Sequence, residues 1–359
     1  AIVFLSSSDI FSTSYYGTRI IKNQLYPYNK IKNIFWNHYL MKRYFLVCAT
    51  IVFFCLMLLF PIPVVAGASK GILLWFQVVL PTLLPFIIVS NLLIQTQAVH
   101  VIAKLTAPLF SRFFHVSSYG SFAVLTGFLC GYPMGSKVTA DLLRSGHISI
   151  QEGQYLLSFC NNSSPMFLIS YLHIQNLRDQ TLFLPTLIIL IGSPVVCSFL
   201  FRRFLLKDSR KRTSFLRTIS ESAKNADCTA HNSGGTLFDM CMMNGFETIV
   251  KVGGYIMLFS IIMELCTLLP VTNPLFSNVL FPSLEITTGI RHICTCALPT
   301  ATRFILCLAL TSFGGWCAVL QTQCMIQETG LTIASYIIQK LITAGVTSLF
   351  AYLYILFFR

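Results

Sequence analysis

Polar side chains that could do chemistry stand where an apolar helix would be expected. Asn161, Asn162 and Ser163, with Ser164 before Pro165, fall about midway along an apolar run. Glu285, Thr287 and Thr288 occupy "PSLEITTG", and Gly314 and Gly315 of "SFGGW" precede Gln321. None of these forms a covalent-catalysis signature: there is no HExxH, no GxSxG and no evident carboxylate pair, and Ser136 meets Lys137 only by adjacency. Amides, hydroxyls and one carboxylate at such positions point to non-covalent binding, and the chain reads as a non-enzyme.

The stretch "GFLCGYPMGSK", residues 127–137, supplies a further interruption. Gly127, Gly131 and Gly135 recur every fourth residue, as on a close-packing helix face. Pro133 argues against an unbroken helix, because it lacks an N–H and presses on the carbonyl of Leu129. Main chain that unwinds at membrane depth must be buried in protein or line a wet cavity. The order Gly-x-x-x-Gly-Ser-Lys is not that of a phosphate loop. Lys137, Asp141 and Arg144 share one helical face, where they form either a solvated helix end or part of a site.

Ser149 and Glu152 have capping-box spacing and set the start of the next helix. That helix is expected to be discontinuous: Ser164 before Pro165 has the pattern of a new N-cap, which would turn free N–H groups and a positive dipole end into the protein. Glu285 has two readings. A carboxylate at membrane depth costs about 2 to 3 kcal/mol or more and so marks a coupling-ion or substrate site, or it complements the helix start after Pro282. Lys340 is expected to snorkel to the interface, and Glu247 and Lys251 form an i,i+4 pair.

The elements that must position these residues follow from composition. Of 359 residues, 55% are hydrophobic and 10% charged, too few polar groups to cover a soluble globule of this size. The net charge of +13 resides mainly in short basic segments beside apolar runs, a signature of membrane orientation rather than of nucleic-acid binding. Thirteen scattered cysteines, with only Cys294 and Cys296 close together, suggest neither metal nor disulfide, and no cofactor is expected.

The fold class is all-α and polytopic. Crossings are expected at about 44–66, 71–96, 150–173, 182–206, 242–268 and 330–357. Segments 116–143 and 302–326 are expected to be re-entrant hairpins, half-helices or full spans, and 276–297 a shorter re-entrant segment. Seven basic residues from Arg202 to Arg217 place that region in the cytoplasm, and Lys42, Arg43 and Arg359 are expected on the same side.

Residues 1–43 read as an N-terminal tail, with Met41 as a plausible start; a cleaved signal peptide ending near "AGA" at 66–68 is the less favoured reading. Residues 44–206 form a first membrane half, 207–240 a basic and polar cytoplasmic linker, and 241–359 a second half. "GILLWFQVVLP" from Gly71 is echoed by "GFETIVKVGGY" from Gly245, and "LTGF" at 125–128 by "LTSF" at 310–313. An odd number of crossings separates the units, so a repeat would be inverted.

"GYPMGSK" with "LLSFCNNSSPMF", and "LEITTGI" with "SFGG" and a downstream Gln, resemble the YlbJ/SpoVV-type sporulation integral membrane proteins of the nucleoside-recognition or gate-domain family. The resemblance covers about residues 44–357. It implies two gate-type repeats and a bacterial cell membrane or outer forespore membrane location. It also implies movement of dipicolinic acid towards the forespore, with a small anion or heterocycle as ligand. By position the matching residues include Pro133 and Gly289, and the substrate-binding set expected from the resemblance and the residues together is Gly131, Tyr132, Gly135, Lys137, Asn161, Asn162, Ser163, Glu285, Thr287, Thr288, Gly314, Gly315 and Gln321. Thr288 stands where the family pattern has Asn, and "GGW" is bulkier than usual. A nucleoside or base carrier and a non-transporting scaffold for envelope assembly are the competing functions, and homo-oligomerisation stays open.

Overall fold

The computed structural model describes residues 43–205, 234–270 and 273–359, and every regular element among them is helical. Helix α1 (Arg43–Leu59) is apolar and is described by itself, because the remaining helices form a separate compact unit beginning at Ile62. At about 1.5 Å per residue α1 is shorter than a full crossing. The break expected near residues 67–70 instead falls at Phe60, where Pro61 and Pro63 end one helix and start the next.

Among the described residues five helices are long and apolar enough to cross a bilayer, or six if a bent pair is counted as one span. The first, α2, runs over Pro61–Gln95 through a π-helical stretch at Trp75–Val79. The bent pair is α3 (Val99–Phe114) and α4 (Ser118–Cys130), which meet at 87°. Sequence reading had no element over 99–114. After α5 (Met134–Arg144) and α6 (Ile150–Cys160) the chain unwinds at 161–164, then enters α7 (Phe167–Leu177), which is π-helical. Helix α8 is Phe183–Leu205 and α9 is Gly234–Cys266; residues 234–240 of the expected linker are thus helical, and the rest of it lies outside the described residues. A short turn region at Phe276–Leu284 leads to α10 (Ile286–Thr295), followed by α11 (Thr300–Phe313), α12 (Gly315–Met325) and α13 (Ile333–Phe358).

Contacts between distant residues fix the direction of each element. Asn91 Nδ2 donates to Cys241 O at 3.4 Å, and Lys70 pairs with Glu264, so α2 and α9 are antiparallel. Residues 116–143 form a hairpin rather than a span: a Cβ at Gly127 or at Gly135 would lie 2.2 or 2.5 Å from the same carbonyl, Cys160 O. The open end of this hairpin is closed by Glu152, whose carboxylate accepts from Ser117 N at 2.6 Å while Ser149 Oγ caps its own amide at 3.2 Å. Half of the expected capping box therefore works across two helices. Residues 276–295 form a second hairpin, in which Gly289 sits against Pro282 O. The segment 302–326 is one crossing interrupted at Gly314.

The two hairpins open towards opposite ends of the bundle. Arg202, near the end of α8, reaches His115 Nδ1 at 2.7 Å, and Gln154 near the start of α6 holds Thr332 at the start of α13. Arg359 ion-pairs with Asp179 just before α8, at 2.7 Å. The 23 residues of α8 put those two ends about 35 Å apart. Arg359 therefore lies opposite Arg202 and Arg203, contrary to the shared side expected from charge alone. Asp179, held by Thr181 and Arg359, has its carboxyl below the usual range.

Two outcomes follow. A tag added after Arg359 should be accessible from the membrane face opposite to one inserted at Ala230; labelling of both from one side would contradict the order of crossings. Gly127→Val should lower unfolding stability by about 2 kcal/mol or more, because the new side chain meets backbone, whereas Gly192→Ala, with open space around it, should be close to neutral in detergent melts.

Candidate functional site

Four interruptions carry the predicted site residues, and the fold brings them together. At the first hairpin tip Gly131 has φ +82°, a left-handed conformation, and a Cβ there would lie 2.5 Å from Ser164 N. Only glycine satisfies both demands. Tyr132 follows, its ring against Gly314 and its hydroxyl donating to Ser312 O at 3.2 Å. Gly314 also has positive φ, +88°, and ends α11 in a left-handed cap.

The second interruption behaves as its sequence implies. Ser164 Oγ accepts from Phe167 N at 3.2 Å, capping the helix that Pro165 begins. Ser163 Oγ reaches Thr311 O at 3.4 Å. In the second hairpin Glu285 is the N-cap of α10: its carboxylate accepts from Thr287 N at 3.0 Å, Thr288 N at 2.8 Å and both threonine hydroxyls. Glu285 is only 2% exposed and has no ion-pair partner among the described residues. The helix end and hydroxyls stabilise its charge, so the capping reading holds at a position that is also membrane-level. Tyr171 OH donates to Thr287 O at 2.7 Å and ties α7 to α10.

Where these pieces meet, a cavity of about 460 Å³ remains. Tyr132, Ser163, Glu285, Thr287, Gly314 and Gln321 from the predicted set line it, with Ser164, Gln77, Thr82, Tyr171 and Gln175. Sequence reading missed Gln77, Thr82, Tyr171 and Gln175. Gln77, Thr82 and Tyr171 lie in runs that read as ordinary apolar helix and Gln175 just beyond one, and only packing reveals which face they occupy.

The other predicted residues have different places. Asn161 is fully buried and donates to Thr322 Oγ1 at 2.8 Å and Tyr336 OH at 2.9 Å, while its Oδ1 accepts from Ser136 N at 3.3 Å. It binds α5, α12 and α13 together rather than facing the cavity. Asn162 Oδ1 accepts from Lys340 Nζ at 2.9 Å and lines a smaller cavity of about 200 Å³ with Ser163 and Ser312. Gly135 is packed on Asn161, and Gly315 beside Ser283 O.

Lys137 pairs with Asp141 at 2.7 Å and lines a separate cavity of about 500 Å³ with Arg144, Glu247 and Lys251, at the end of the bundle where α5 finishes. Thr288 faces a cavity of about 420 Å³ with Lys70 and Arg291 at the opposite end. Lys340, expected at the interface, is 0% exposed and interior.

Among known proteins, the chain is 26% identical over 319 residues to "Sporulation integral membrane protein YlbJ" of Bacillus subtilis (strain 168), a match spanning 80% of this chain and 76% of that one. The likeness extends over most of both chains. No family model matches it, and no solved structure matches it significantly. With its long apolar helices, this relationship makes it a multi-pass integral membrane protein.

Asn161→Ala should lower unfolding stability by about 2 kcal/mol by leaving buried donors and acceptors without partners. The loss should appear in detergent melts with no solute present; an unchanged melt would contradict the bracing role.

Proposed function

We propose that this protein is a sporulation-associated membrane carrier that binds a small heterocyclic solute where its four helix interruptions meet. The supporting observation is the cavity of about 460 Å³, which combines hydroxyls, amides, aromatic rings and one carboxylate at the tips of hairpins that open to opposite ends. Discontinuous helices around a central site, in two oppositely directed units, are the architecture of alternating access. The order hairpin, interrupted crossing, long helix occurs in each half and supports an inverted repeat of the gate type. In that arrangement hairpin 118–144 corresponds to 276–295, which leaves "LTGF" and "LTSF" at non-equivalent places, whereas Gly71 and Gly245 both fall on the leading long helix of their half.

Dipicolinate is the first solute to consider, given the sporulation name of the relative and the family resemblance. Tyr132, Phe167 and Tyr171 offer rings against a planar pyridine, and Ser163, Ser164, Gln77 and Gln321 offer hydrogen bonds. One observation favours a second reading: the lining contains Glu285 and no Lys or Arg among the described residues. A dianion would have to arrive protonated or with a cation, whereas a nucleoside or base would enter uncharged.

The test is uptake by proteoliposomes of the full chain offered labelled dipicolinate and a nucleoside panel. Saturable uptake of one of them is expected, reduced by about tenfold or more in Gln321→Ala and Glu285→Gln variants that melt as the parent does. No uptake of either class, with the variants and parent equally competent in sporulation, would replace the carrier with a scaffold.

A further inference from the structure

Lys340 is the one fully buried lysine of the described residues, and it forms no ion pair with any described carboxylate. Its Nζ donates to Asn162 Oδ1 at 2.9 Å and to Ser312 O at 3.3 Å, and stands 5.0 Å from the centre of the Tyr132 ring. Each of these acceptors belongs to a different interruption. Asn162 follows the C-terminal end of α6 at Cys160, Ser312 is in the last turn of α11, and Tyr132 is the tip of the first hairpin. The ionisable side chains acting on the amine, Cys160 and Cys197, are thiols.

The negative ends of two half-helices and the oxygens of unwound chain are the surroundings in which membrane carriers hold a coupling sodium ion. Here α13 delivers a side-chain cation to that place. Its buried stripe Tyr336, Lys340, Thr343 and Thr347 faces both interrupted crossings: Tyr336 accepts from Asn161, and Thr347 donates to Ser312 Oγ at 2.9 Å. An ammonium enclosed by neutral oxygens and a ring face is costly to bury without a counter-ion. It is tolerable here because the carbonyl of Ser312 at the end of α11, the side-chain amide oxygen of Asn162 and the Tyr132 ring supply partial negative charge.

We propose that the Lys340 ammonium is the resident cation of this protein, standing in the place of an exchangeable sodium ion and making solute movement independent of sodium. The claim about transport rests on the carrier reading above; the claim about the cation site does not. Removing the amine while keeping the oxygens should open a site for an inorganic monovalent cation.

The experiment compares thermal unfolding of the purified full chain in sodium chloride and in choline chloride, alongside Lys340→Ala and Lys340→Gln. The parent should shift by less than about 1 °C between the two salts, and at least one variant should gain about 4 °C or more in sodium. Uptake by the parent should be the same in both media, and uptake by Lys340→Ala should fall in choline and return with sodium. A parent stabilised by sodium, or folded variants indifferent to it, would overturn the proposal. The parent arm needs no variant to fold. Absence of uptake together with the predicted sodium pattern in the melts would count against the carrier reading alone.

Discussion

A main chain that leaves the helix inside a bilayer presents N–H and C=O groups to a medium without water to bond them, so the protein itself must close each interruption. Here the interruptions close one another. The hairpin tip at Gly131 rests on Ser164, Tyr132 rests on Gly314 and bonds Ser312 O, Ser163 reaches Thr311 O, and Tyr171 bonds Thr287 O. Because every break borrows its partners from another, none can be straightened alone. The same requirement keeps the four together around a space whose lining is largely apolar with a few polar groups set into it.

Buried charge follows the same logic. Glu285 and Lys340 are each deeply buried without an ionic partner among the described residues, and each is held by the ends of helices instead. The carboxylate caps the positive start of α10, and the amine lies at the negative finish of α6 and α11. Two ionisable groups can thus lie at depth without pairing with each other. By contrast Lys137, Asp141 and Arg144, or Glu247 and Lys251, pair within a helix towards one end of the bundle, where pairing is local and adds little.

Much of this was legible in the residues because the signals are covalent or local. Pro133 between two glycines and Pro165 after a run of Asn and Ser mark breaks, whereas Pro194 is carried inside α8; Ser164 is a cap residue by type, a carboxylate such as Glu285 complements a helix start, and Arg202 and Arg203 mark the basic end of α8. What escaped depends on which elements pack together. Snorkelling and burial are equally available to a lysine near an apolar run, and only the position of α13 against both interruptions decides that Lys340 is interior. Arg359 was placed by charge on the wrong end because 302–326, which hydropathy left open between hairpin and span, is a full crossing, so three passages rather than two separate Arg202 from Arg359. Asn161 and Asn162 are adjacent and of one type, yet one braces three helices and the other holds the amine.

The central claim is that a water-reachable cavity at membrane depth separates the four interruptions and receives a solute. Modification of Gln321→Cys in an otherwise cysteine-free chain by a small membrane-impermeant thiol reagent tests it most directly. The account predicts that the introduced thiol reacts and that dipicolinate or a nucleoside slows the reaction, while a cysteine at the internally bonded Thr347 stays unreactive. An inert thiol at position 321, or one whose rate no solute of either class alters, would contradict it.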